Sequence, residues 1–147
     1  MIFSRLHGWT QGELIFILDE KTAFKLINLS NVKHKEDGFG SITEFGVSTL
    51  KEVGNIVIGS YLTALSSMLK TTIEPPLSTF LSGSLERIFS DVIYFPYASV
   101  KQTQRYCIQT DFEVPQEQIK GNLTLALNME SGEKIRQAYL EHAFKKD

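Results

Sequence analysis

At 147 residues, with 42% apolar and 22% charged residues, the chain has the length and make-up of one ordinary folded domain able to bury a core without disulfides or metal. The formal net charge of -2 leaves no broad positive field, and Lys33-His34-Lys35 is followed directly by Glu36-Asp37, which argues against nucleic acid as a partner. No run approaches the roughly 18 apolar residues of a membrane span, and Met1 to Arg5 lacks the basic-then-apolar pattern of a signal peptide, so the expectation is a cytoplasmic protein with no membrane partner.

The chain opens with apolar segments, Ile2 to Leu6 and Leu14 to Leu18, on either side of Gly8-Trp9-Thr10-Gln11-Gly12, a pattern that predicts a β-hairpin. Asp19 then stands where it can cap a helix running through Leu29, with Ala23, Leu26, Ile27 and Ser30 spaced along it and Glu20 favourably placed in its first turn. After a polar loop from Lys33 to Gly40, Ser41-Ile42-Thr43-Glu44 has capping-box spacing and introduces the longest periodic segment, a central helix to about Lys70.

Pro75-Pro76 forbids further helix, Leu77 to Leu81 reads as extended or turn-like, and Ser82 or Ser84 caps a helix that holds Leu85, Ile88, Phe89 and Val92 and stops at Pro96. Two strands follow, Arg105 to Val114 and Gly121 to Leu127, joined by a turn at Pro115-Gln116-Glu117, and a last helix runs from about Gly132 to Phe144. Cys107, the single cysteine, falls in the first of these strands and reads as a small buried hydrophobe. His7, His34 and His142 lie far apart without a second ligand type at helical spacing, so no metal site is expected. Strands and helices mixed without βαβ alternation predict an α+β fold in one domain, residues 1–147, with a mainly antiparallel sheet and helices packed on it.

On a wheel of about 100° per residue, Ser48, Glu52, Asn55, Gly59 and Ser66 of the central helix share one narrow stripe. Leu50, Val53, Val57, Tyr61, Ala64, Leu65 and Met68 make an apolar stripe on the other side, expected to pack on the sheet and turn the polar residues outward. Gly54 and Gly59 each cost the helix roughly 1 kcal/mol relative to alanine, a cost offset either by close packing inside the chain or by the approach of a partner. A Glu and an Asn three residues apart are by themselves more often simply solvated.

The longer string Ser48-Thr49-Leu50-Lys51-Glu52-Val53-Gly54-Asn55-Ile56-Val57-Ile58-Gly59-Ser60-Tyr61-Leu62-Thr63-Ala64-Leu65-Ser66 resembles the phosphatase helix of the CheC, CheX and FliY family. That family's motif is Asp or Ser, three residues, Glu, two residues and Asn, which Ser48, Glu52 and Asn55 match in order and spacing, and then a proline further on. Pro75 and Pro76 arrive somewhat sooner than the family's proline, and neither is assigned a role. The segments Phe112-Glu113-Val114 and Ile119-Lys120-Gly121 look like the closing part of CheC. CheC and FliY usually carry two copies of the helix motif; this sequence matches the second copy with its preceding hairpin. Glu86-Arg87-Ile88-Phe89 has Phe89 where a second Asn is needed, so the chain resembles CheX in having one site.

The resemblance implies a CheC-like fold and a phosphatase for the phospho-aspartate of a CheY-type response-regulator receiver domain. It implies Asn55 as the residue that orients the attacking water, Glu52 as the residue that anchors the regulator, and Ser48 and Gly59 as partner-binding. No metal or organic cofactor belongs to the chain on this reading, since the Mg²⁺ arrives with the receiver. The competing reading is a non-catalytic interaction module of the same fold, as in flagellar-switch proteins. A third reading, compatible with catalysis, is that a missing first half leaves an incomplete sheet whose edge pairs with another copy, making the chain a homodimer or a partner subunit of a larger complex.

Overall fold

A computed structural model of the chain describes residues 1–30, 42–74, 77–90 and 104–143. Its first elements are the hairpin strands β1 (Ile2–Leu6) and β2 (Gly12–Ile17), antiparallel, with Ile2 opposite Phe16 and Leu6 opposite Gly12. Side chains alternate across a strand, so Ile2, Leu6, Leu14 and Phe16 share one face of the sheet, and all four belong to the main apolar core. On β2 the opposite face is buried as well: both Glu13 and Ile15 are 0% exposed.

The other strands assemble around this hairpin. β3 (Ser78–Phe80) pairs antiparallel with β1, β4 (Arg105–Val114) with β5 (Ile119–Asn128), and β5 with β2, giving the order β3-β1-β2-β5-β4. Leu123, Leu125 and Leu127 of β5 fall on the same face as Phe16, Leu14 and Gly12, which they oppose. Phe112 of β4 stacks on Phe16 with ring centroids 5.6 Å apart. The expected turn is a short 3-10 segment, Pro115–Glu117, closed by Gln118 at φ 50°. β5 starts two residues earlier than the apolar run suggests, because pairing of Val114 with Ile119 continues up to that turn.

Among the described residues the helices are α1 (Glu20–Ser30), α2 (Glu44–Leu69), α3 (Leu85–Phe89) and α4 (Met129–Ala143). α1, α2 and α4 contribute Ala23, Ile27, Leu50, Ile58, Leu62, Leu65, Leu69 and Ile135 to the core on the Phe16 face of the sheet. The capping residue expected for α1 is present: the Thr22 amide donates to the Asp19 carboxylate at 2.7 Å. That hydrogen bond holds the Asp19 carboxyl below its ordinary value of 3.8. A lowered carboxyl contributes stability above its unfolded-state pKa, and the contribution is lost as pH falls through the folded-state value. Asp19→Ala is therefore expected to lower the unfolding free energy by about 1 kcal/mol at neutral pH. In chemical denaturation the gap between wild type and variant closes as the solution is acidified below the ordinary carboxyl range.

Several expectations are corrected. The N-cap of α2 is Thr43, whose hydroxyl accepts from the Gly46 amide at 3.1 Å, so Glu44 begins the helix rather than closing a box with Ser41, which lies outside the described residues. α4 begins three residues before Gly132 because the Asn128 side chain accepts from the Ser131 amide at 2.8 Å and acts as its cap. Ser84, not Ser82, caps α3. Val92 and Pro96 fall outside the described residues. Cys107 is exposed, because β4 is the last strand of the sheet and most of its residues are open to solvent.

Candidate functional site

α2 is 26 residues long and ends where predicted, with Lys70 in the left-handed conformation at φ 50° and its amide directed to the carbonyls of Ser66 and Ser67. Its buried line is Gly46, Leu50, Gly54, Ile58, Leu62, Leu65 and Leu69. This line is rotated by roughly 50° from the apolar stripe read off the wheel. Ala64 and Met68, expected inside, are exposed, while Val53, Val57 and Tyr61 are half-buried. The cause is Gly54: a side chain there would meet Ile2 of β1, with Cγ2 at 2.9 Å from the Cβ position, so the helix approaches the sheet most closely along its glycine edge. The half-buried Tyr61 hydroxyl meets Thr110 of β4, and burial raises its pKa. The helix is thus seated at one end on β1 and further along on β4.

The two glycines have different roles. At Gly59 an added Cβ meets nothing within 4 Å among the described residues. Gly54→Ala sets a gain of about 1 kcal/mol in helix propensity against overpacking of about 1–3 kcal/mol on a β-branched side chain with little room to give. The expected outcome is a lower unfolding midpoint for Gly54→Ala and a higher one for Gly59→Ala, measured in the same urea titration.

With α2 seated in this way, Ser48, Glu52 and Asn55 are exposed and Gly59 is half-exposed on one face. The structure brings these four together. Ser66 leaves the stripe, because its hydroxyl accepts from the Ile73 amide at 3.1 Å and builds the turn after the helix. Among the described residues, the side chains of Glu52 and Asn55 make no hydrogen bond or ion pair, so both are free to meet an incoming group. Thr63 donates its hydroxyl to the Gly59 carbonyl at 2.8 Å. Pro75 and Pro76 lie outside the described residues. Phe45 and Ile56, assigned to neither stripe of the wheel, are 50% and 59% exposed on the same side of α2.

An apolar cavity of about 570 Å³ is lined by Ile2, Ala23, Phe24, Leu50 and Ile88 among others and by none of the four stripe residues. A carboxylate and a carboxamide one turn apart on a convex helix suit a protein that acts on the surface of another macromolecule. The CheC-like family model matches residues 45–76, the span of α2 and its following turn. The protein described as CheY-P phosphatase CheC, from Bacillus subtilis strain 168, is 28% identical over 140 residues, which are 91% of this chain and 65% of that protein. The chain therefore spans less than two-thirds of that relative's length.

Two solved structures share the fold. Thermotoga maritima FliY superposes with a TM-score of 0.66 at 18% identity over 96% of this chain and 70% of that one. A crystal structure of a CheX-CheY-BeF3-Mg²⁺ complex from Borrelia burgdorferi matches with a TM-score of 0.59 at 22% identity over 86% of this chain and 74% of that one. Each of these findings is a similarity to the CheC/CheX/FliY family. The chain's mixed helices and antiparallel sheet, with the long helix carrying the motif, are the CheC-like fold. No helix among the described residues is long and apolar enough to cross a membrane.

Proposed function

We propose that the chain hydrolyses the aspartyl phosphate of a CheY-type receiver domain, with Asn55 orienting the attacking water and Glu52 anchoring the regulator. The observation that carries this reading is the exposure of Glu52 and Asn55, one turn apart and without intramolecular partners among the described residues, on a helix fixed to the sheet. In the reaction the water oxygen bonds to phosphorus, the bond from phosphorus to the aspartyl oxygen breaks, the receiver's carboxylate is restored and inorganic phosphate leaves with the water's protons. Little covalent work falls to the protein, so position is what it supplies.

A carboxamide suits the task because it donates and accepts at once and does not titrate, so Asn55 can hold a water by two of its contacts. Glu52 pairs with a lysine of the receiver and sets the register of docking. Ser48 and Gly59 complete the footprint: a hydroxyl at its edge, and a bare backbone against which the partner can lie. The stripe offers one carboxylate, too few oxygen ligands to hold Mg²⁺, so the ion comes with the receiver. β4, the last strand of the sheet among the described residues, is where a second copy would extend it. The chain works in the cytoplasm, where receiver domains are.

The test follows the decay of a phosphorylated receiver domain from the same organism, in Mg²⁺, with and without the chain. Faster decay in proportion to added protein supports the reading. Binding to the receiver without faster decay would instead establish the non-catalytic module.

A further inference from the structure

The stripe that carries Glu52 and Asn55 is not wholly polar. Phe45 and Ile56 stand 50% and 59% exposed on α2. Eleven residues apart, they are separated by about 16 Å along the helix and only about 20° around it, so they form a line, and Glu52 falls between them within about 40° of each. Ser48, Asn55 and Gly59 make a parallel polar line beside it. Met68, the third exposed large apolar residue of the helix at 47%, lies about 160° from Glu52 and belongs to neither line.

One exposed apolar side chain needs no explanation. Two that bracket a carboxylate, beside a glycine whose Cβ direction is open, form a patch with the composition of a binding hot spot: apolar anchors around a charged group that must be shielded from water to bind strongly. We infer that Phe45 and Ile56 are the apolar anchors on which the receiver domain docks, pressing its surface onto α2 on both sides of Glu52. The inference rests on the phosphatase reading of the same stripe and names what supplies its affinity. The receiver is the occupant because the patch is continuous with Glu52 and Asn55: a second copy seated on Phe45 and Ile56 would cover the residues that must reach the phosphoryl group. The labour is thereby divided. The anchors hold the partner, Glu52 sets its register and Asn55 acts on the bound phosphoryl group.

The experiment compares wild type, Phe45→Ser, Ile56→Ser and Met68→Ser. It measures binding to a Mg²⁺-loaded, beryllofluoride-activated receiver by calorimetry and steady-state turnover of the phosphorylated receiver. All three side chains are exposed, so equal thermal unfolding of the four proteins checks that each is folded. Phe45→Ser and Ile56→Ser are each expected to weaken binding about tenfold and to raise KM by the same factor with kcat unchanged, while Met68→Ser matches wild type. Binding of both anchor variants within twofold of wild type, or a loss equalled by Met68→Ser, overturns the inference. If wild type binds but does not speed decay, the phosphatase reading fails, and the binding comparison still decides the anchors. If wild type binds no receiver, both fall.

Discussion

Asn55→Ala is expected to slow the chain's dephosphorylation of the receiver about 100-fold while leaving receiver affinity within twofold of wild type. The size follows from the role: a water held in line for attack is worth orders of magnitude in rate, and alanine has nothing with which to hold it. The split between rate and affinity follows from the geometry. Asn55 is exposed and makes no side-chain hydrogen bond among the described residues, so its removal breaks no internal contact. Alanine is the better helix former, so the variant gains helix propensity and any lost activity cannot be charged to unfolding. Single-turnover decay at saturating protein reads the rate and titration of its amplitude reads the affinity. A rate unchanged by the substitution would remove Asn55 from the reaction.

Arg105→Met is expected to cost about 3 kcal/mol of stability, the low end for breaking a buried ion pair. Glu13 on β2 is fully buried, and its carboxylate is held by Arg105 of β4 at 2.7 Å, with Arg5 of β1 more distant at 3.7 Å. Removing Arg105 takes from the buried carboxylate the guanidinium that stands 2.7 Å from it. The double variant Glu13→Leu/Arg105→Met removes both charges and is expected to recover most of the loss, since an apolar pair of similar volume needs no desolvation of ions. Urea unfolding of the single and double variants measures the coupling. Loss in the double variant equal to the sum of the two single losses would show that the pair does not act as a unit.

Much of this architecture was legible in the sequence because local rules settle it. The Asp19 cap, the opening hairpin, the limits of β4 and the end of α2 near Lys70 depend on a few adjacent residues. The stripe of Ser48, Glu52, Asn55 and Gly59 was legible for the same reason: helical spacing alone puts those residues on one side. The rotation of α2 was not. A hydrophobicity wheel treats glycine as neutral, yet Gly54 marks the closest approach to Ile2 and so decides which residues face the sheet. That is why Ala64 and Met68 were read as buried. Cys107 was misread because strand alternation reports which residues share a face but not whether the strand ends up at the margin of the sheet. The choice of Thr43 over Ser41 and the cap by Asn128 turned on competing polar residues within a turn of each other, which spacing rules do not rank.

The position of β2 also sets a timetable for synthesis. Its first neighbour, β1, has emerged before it, but the other, β5, follows more than a hundred residues later, with Gly12 opposite Leu127. Until β5 leaves the ribosome the floor beneath α2 is only half laid, although Glu52 and Asn55 on α2 were translated long before. The helix must wait, with its apolar line uncovered on one side, for the last third of the chain. Contacts this distant in sequence favour slow folding. A nascent chain stalled before β4 would hold the complete Ser48–Asn55 motif and no platform to present it, so the stripe would gain its support abruptly, once β5 has emerged.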